Sequence, residues 1–201
     1  VPRGVAIPEV RQQLFAAVER VIARDGPGRL SGRSVTAEAG VATGLLHAHF
    51  ADLDDFLAAY AVDRAFLVSA GAGALADRSG KGSVVDNLCD AITATPLPAV
   101  GTLVKLLVAR PELAGRVQAV LGDRTAGLGA VEHAAAAYLA AEQRLGRIAA
   151  TAEPEALALA LVGAFHHLVL TGAADVRARL QAVITALVGY KRSNTLGSPK
   201  P

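Results

Sequence analysis

Residues 31–50 read SGRSVTAEAGVATGLLHAHF, and the fold turns on how that stretch is read. Ser31 is placed to cap a helix through its hydroxyl, and Val35 and Ala39 fall on one inward face. Gly40 supplies the positive φ that a tight turn needs, and Val41 plugs the angle between two helices. A second short helix is expected over residues 42–49. Such a pair is a helix-turn-helix, whose second helix enters the major groove of DNA, wide enough to admit one helix, while the first lies across the backbone. The competing reading is a plain helical corner.

Working outward, Pro8 and Glu9 suit a helix start, and Val10, Leu14, Ala17, Val18, Val21 and Ile22 recur at spacings of three and four. The run Asp25-Gly26-Pro27-Gly28 ends that helix, Leu30 packs beneath the corner, and three helices within the first fifty residues make a small head. Residues 1–4, read as a tag remnant or a native start at a non-AUG codon, are set aside. Up to Phe50 the head carries six arginines against four acids, which is only mildly basic. Asp52, Asp54 and Asp55 then reverse the sign. DNA binding by such a head depends on where its cations sit rather than on their number.

Past the head, Asp52 is a good N-cap for a long helix carrying Phe56, Leu57, Tyr60, Phe66 and Leu67 towards Leu75. A loop at residues 77–83 follows. Helices are expected over 84–95, stopped by Pro96 and Pro98, over 100–109, and over 112–147 with a break near Gly122. Two more begin at Pro154 and Asp175, with apolar residues beyond one narrow face, as fits helices that pack on their own domain and on a second copy. Residues 191–201 read as a disordered tail. Of the 201 residues 52% are hydrophobic and only 4% aromatic, with Ala and Leu recurring throughout. That composition favours an all-α protein built from close-packed small aliphatic side chains.

Several chemistries find no support. The single Cys89 has no internal partner, there is no leader pattern and no long apolar run, and a cytoplasmic location with no membrane role is expected. His166 and His167 point about 100° apart on a helix and cannot share an ion as an i, i+4 pair does. Neither a phosphate loop after a strand nor a nucleophile with a base at a recognisable spacing is present, so the protein is expected not to be an enzyme and to need no cofactor or metal.

Arg11, Leu14, Ala16, Ala17, Gly26, Val35, Ala39, Gly40, Val41, Gly44, Leu46, His49, Phe50 and Leu57 resemble, in order and spacing, the N-terminal head of the TetR-type (TetR/AcrR-like) transcriptional regulators. The later segments RPELAGRVQAVLGDRTAGL and EPEALALALVGAFHHLVLTG look like the second half of many such regulators. The resemblance implies an all-α homodimer with a helix-turn-helix DNA-binding domain at 8–55, a helical ligand-binding and dimerisation domain at 56–190, and the tail. It implies a repressor on a near-palindromic double-stranded DNA operator, with Arg29, Ser31, Arg33, Ala42, Thr43, Gly44, Leu45 and His47 at the DNA. Gly44 would let the backbone approach a phosphate, and His49, beside Phe50, is expected to pack inside the head. A small, mostly apolar effector would be anchored by Thr93, Thr102, Lys105, His133, Tyr138 and His166, and the dimer would form through helices at 154–171 and 175–190. The chain departs from the family at three phosphate-gripping positions, where it has Ala42, His47 and Leu53. That predicts weaker binding or compensation by Arg29, Arg33 and His47, and leaves as an alternative a ligand-binding or interaction dimer whose head has little DNA affinity.

Overall fold

The structure, a computed structural model, describes residues 7–94, 96–122 and 125–189. The predicted tail at 191–201 lies outside them. Ten α-helices and no strand occur among the described residues: α1 Ile7–Asp25, α2 Gly32–Ala39, α3 Gly44–His49, α4 Leu53–Ala70, α5 Val84–Thr93, α6 Leu97–Ala109, α7 Leu113–Leu121, α8 Gly127–Arg144, α9 Pro154–Leu170 and α10 Val176–Val188. The all-α architecture expected from the composition is what is found.

Most helix ends follow from local chemistry. Ser31 and Ser34 form a reciprocal capping box at α2: the Ser34 amide donates to Ser31 Oγ at 3.1 Å and the Ser31 amide to Ser34 Oγ at 2.9 Å. Gly40 closes α2 in the left-handed region at φ 68°. The third helix begins at Gly44, later than expected, because residues 42–43 are still in the turn that leads into it, with the Leu45 amide on Ala42 O at 2.9 Å. Pro98 does not stop a helix. It sits in the first turn of α6, where a missing N–H leaves no bond unmade. The long α4 gives way to 3-10 geometry at Gly71–Arg78. There α5 crosses so closely that a Cβ at Gly71 would collide with the Ala94 Cβ.

Two apolar cores result. The smaller holds Leu14, Phe15, Val18, Val21, Val35 and Leu46 of the head, and it also takes Phe56, Leu57 and Tyr60 from α4, Leu106 from α6 and Leu113 from α7. Phe15 stacks tilted on Phe56 at 5.7 Å and edge-on to Tyr60 at 5.5 Å, and Phe50 meets Phe56 edge-on at 5.1 Å. An ion pair between Glu19 and Arg64 at 2.6 Å ties α1 to α4 beside these rings. Burial, with the neighbouring Glu19 carboxylate, pushes the Tyr60 hydroxyl pKa up. The larger core joins the second half of α4 to α5, α6, α8, α9 and α10. Within it Glu142 is fully buried, its carboxylate accepting from the Gly80 amide at 3.0 Å and facing Arg147 at 3.1 Å, which pins the loop at 79–83 to α8.

Helix α6 belongs to both cores. Val100, Leu103, Val104 and Leu107, spaced 3, 1 and 3 apart, form one face towards the body. Leu106, off that face, inserts into the head core with no exposed surface. A body helix thus supplies part of the head's interior.

Candidate nucleic-acid interface and effector cavity

On the head, α3 presents Gly44, His47, Ala48 and His49 to solvent, with Ala42 and Thr43 exposed in the turn before it and Leu45 half-buried. Leu46 is the buried residue that anchors α3, and Val41 packs against the same core. Ser31, Arg29 and Arg33 are exposed beside the corner. Its hydroxyl committed to the cap, Ser31 orders the start of α2. His49 does not pack inside the head as expected: it is exposed, and with Arg11, Leu14 and Phe50 it lines a small surface hollow. On a helix anchored through Leu46, position 49 turns outward, and Phe50, in contact with the Phe56 ring, fills the place instead.

The head's cations are unequally available. Arg20 and Arg24 both pair with Glu38 at 2.6 Å, tying α1 to α2, and Arg24 also meets Asp25 at 2.8 Å. The Arg24 guanidinium, seconded by Arg20, holds the Glu38 carboxyl below the usual carboxylate range. Arg11 lies over the Phe15 ring at 5.2 Å. Arg29 and Arg33 enter no ion pair with a described residue.

The acidic cluster at the start of α4 does not stand unpaired beside the head. Asp52 caps α4 by accepting from the Asp55 amide at 2.7 Å, Arg116 reaches Asp52 and Asp55 at 3.1 Å each, and Arg110 reaches Asp54 at 2.9 Å. The Asp52 carboxyl is held below its ordinary value, first by the Asp55 amide and then by Arg116. Sequence reasoning missed Arg110 and Arg116, because partners more than fifty residues away carry no local signal.

The six residues expected to anchor an effector do not converge. Thr93 accepts from Arg177 at 3.1 Å between α5 and α10. His133 lies in a shallow hollow with Glu132 and Glu155. Tyr138, its pKa raised to about 12 by burial first of all, accepts from the Asn87 side chain at 2.9 Å. Thr102 and Lys105 line a cavity against α1 and α9. Only His166 faces the main apolar cavity, which has a volume of about 350 Å³ and is otherwise lined by Ala61, Ala65, Val68, Val100, Leu103, Val104, Leu107, Val108, Val117, Leu121, Ala126, Gly127 and Leu128. The 3, 1, 3 spacing of residues 100–107 was the available signal for this wall.

Two helices keep an exposed stripe of mostly apolar or small residues: Leu159, Gly163 and Leu170 on α9, interrupted by His167, with Leu159 59% exposed, and Ala178, Ala182 and Ala186 on α10. No single helix among the described residues is long and apolar enough to cross a membrane.

These features define an all-α helix-turn-helix fold whose small head shares its core with a larger, cavity-bearing helical body. It is the fold of the TetR-family transcriptional regulators. PfmR, a TetR-family regulator from Thermus thermophilus, superposes with a TM-score of 0.66 at 14% identity, over 88% of this chain and 97% of that one. A transcriptional regulator from Rhodococcus sp. Rha1 gives 0.63 at 21% identity, over 89% and 96%. The regulator FadR from Bacillus subtilis, in complex with stearoyl-CoA, gives 0.59 at 17% identity, over 88% and 97%. No family profile and no curated protein matches the sequence.

Proposed function

We propose that the protein is a ligand-responsive, DNA-binding transcriptional regulator, a repressor that binds a near-palindromic operator as a homodimer. The observation that carries the reading is the junction at α6: one helix walls the apolar cavity with Val100, Leu103, Val104 and Leu107 and plants Leu106 in the core of the helix-turn-helix head. In this reading α3 enters the major groove with Thr43, Gly44 and His47 foremost, while Ala42 and Leu45 lie at its edge. Arg29, Arg33 and the Ser31 end of α2 meet the phosphate backbone. The stripes on α9 and α10 meet their copies across a two-fold axis, which sets the two heads at half-site spacing.

The effector is a small, mostly apolar molecule with one hydrogen-bonding group for His166. The cavity lies at the small end of the range for ligand sites, and among the described residues its lining holds no Lys, Arg, Asp or Glu. Val117 and Leu121 of its wall belong to α7, next to Arg116. An occupant that moves α6 and α7 thereby shifts Leu106 and draws Arg116 from Asp52 and Asp55, so that two carboxylates face the operator phosphates unpaired.

Selection of binding sites from random DNA tests the reading: a recovered palindrome whose affinity falls steeply with salt supports it. Saturable ligand binding with no DNA affinity at low salt overturns it in favour of a ligand-binding or interaction dimer. That second reading has its own support in the commitment of Arg20 and Arg24 to Glu38 and in Ala42, His47 and Leu53 at the phosphate-gripping positions.

A further inference from the structure

A second cavity, also of about 350 Å³, lies where head and body meet, between the end of α1, the N-terminal half of α6 and the α9–α10 corner. Its apolar wall includes Ile22, Leu97, Leu168, Val169 and Val176. Its polar groups, Thr102 and Lys105, stand three residues apart and so share one face of α6, distinct from the face that lines the effector cavity.

Three observations mark this cavity as more than a packing gap. Thr102 is only 7% exposed, yet its hydroxyl has no hydrogen-bond partner among the described residues. The helical threonines Thr36, Thr93 and Thr185 each return theirs to the carbonyl four residues back, at 2.8, 2.7 and 2.8 Å. Not sealed among protein atoms, the Thr102 hydroxyl opens to the cavity, where it is free to donate to an occupant. Lys105, one turn further on, is in no ion pair with a described residue. Gly101, between them and Pro98 on the same face, keeps the wall low: a Cβ there would meet only the Val169 Cγ1, at 3.5 Å, an ordinary contact. Packing therefore does not require glycine, a residue unfavourable inside a helix.

We propose that this cavity binds a monoanionic amphiphile, a carboxylate on an apolar chain, with the Lys105 ammonium pairing the carboxylate and the Thr102 hydroxyl donating to it. The chain lies along Leu97, Val169 and Val176 and reaches Ile22, so an occupant bridges the head's first helix to the body. The site does not depend on the DNA-binding reading, and its test is separate.

The test is calorimetric titration of the full chain with decanoate, 1-decanol and acetate. Decanoate binds saturably, and Lys105→Gln weakens it roughly tenfold, as expected for one charge-assisted hydrogen bond at a partly open site. Lys105→Arg retains binding, Thr102→Val weakens it severalfold, and decanol and acetate bind more weakly than decanoate by roughly tenfold or more. Filling the effector cavity by Val104→Phe leaves the Lys105-dependent binding in place. The proposal is overturned if decanoate does not bind, if Lys105→Gln changes nothing, if decanol or acetate matches decanoate, or if Val104→Phe alone abolishes binding, which places the ligand in the other cavity. Should Thr102→Val fail to fold by circular dichroism, the exposed Lys105 variants still decide the matter.

Discussion

Truncating Leu106 to alanine tests the central feature of the fold, the seating of a body helix in the head core. The side chain has no exposed surface. Removing three buried carbons at about 0.8 kcal/mol each costs about 2.4 kcal/mol of transfer free energy. The void left in the head core brings the loss to about 3–5 kcal/mol. For a chain of this length that is a fall in melting temperature of roughly 6–20 °C. Two variants on the same helix calibrate it. Leu103 is 6% exposed but already faces a cavity, so Leu103→Ala forfeits fewer contacts and costs about 1–2 kcal/mol. Val108 is 61% exposed, and Val108→Ala stays within about 0.5 kcal/mol. Urea unfolding followed by far-ultraviolet circular dichroism gives all three. Because Leu106 and Leu113 join the two cores, the parent protein unfolds in one transition, and Leu106→Ala separates the head as an earlier step. A loss below about 1 kcal/mol, or one no larger than that of Val108→Ala, refutes the seating.

Other perturbations test other parts. Gly40→Val places a β-branched residue at φ 68° where a Cβ meets nothing within 4 Å, so the cost is purely conformational, about 1–2 kcal/mol in a thermal melt. Arg33→Ala weakens operator binding nearly uniformly across sequences and lowers the slope of log affinity against log salt by about 1, measured by fluorescence anisotropy over a salt series. Arg116→Gln removes one of the groups that hold Asp52 below its ordinary pKa. A depressed carboxyl stabilises the fold above its unfolded pKa and loses that contribution as pH falls through the folded one. The stability gap between parent and Arg116→Gln is therefore present at neutral pH and closes as urea midpoints are taken down through the carboxylate range below about pH 4.

The head was legible in the sequence because its determinants are local. A capping serine, a glycine in the left-handed region and apolar residues at helical spacing each act within a turn or two, and Ser31, Gly40, Val35 and Leu46 stand where that reasoning puts them. What the sequence withheld is carried by contacts between distant segments. Leu106 reads as one more leucine in an apolar helix, and only the docking of α6 sends it into the head. Arg110, at the end of α6, and Arg116, on α7, come beside Asp52, Asp54 and Asp55 only when those helices dock on the start of α4. Effector anchors were expected among scattered polar side chains, whereas the wall of the apolar cavity is, among the described residues, an apolar face interrupted by His166. Polar residues on helices find partners such as Asn87 or Arg177 as readily as they find ligands.

The same pairing alters how the missing lysine at position 53 bears on DNA binding. Taken alone, Leu53 among three aspartates describes a helix start that repels phosphate. In the structure two of those aspartates share Arg116 and the third has Arg110. Exposed pairs of this kind add little to stability, since solvent screens them and ordering the side chains costs entropy. Their effect is on the local field instead. With both arginines in place the three carboxylates at the start of α4 leave a single net negative charge, which the amide dipoles there offset in part. With Arg116 withdrawn, two carboxylates are uncovered at the same spot. A lysine at position 53 would hold a phosphate whatever α7 does, whereas in the proposed regulator charge supplied from α7 would tie phosphate affinity to the position of a helix that also walls the apolar cavity through Val117 and Leu121. In a regulator of the proposed kind, losing a fixed contact and gaining a conditional one would lower the maximum affinity and widen the difference between the two states, the difference that ligand control needs.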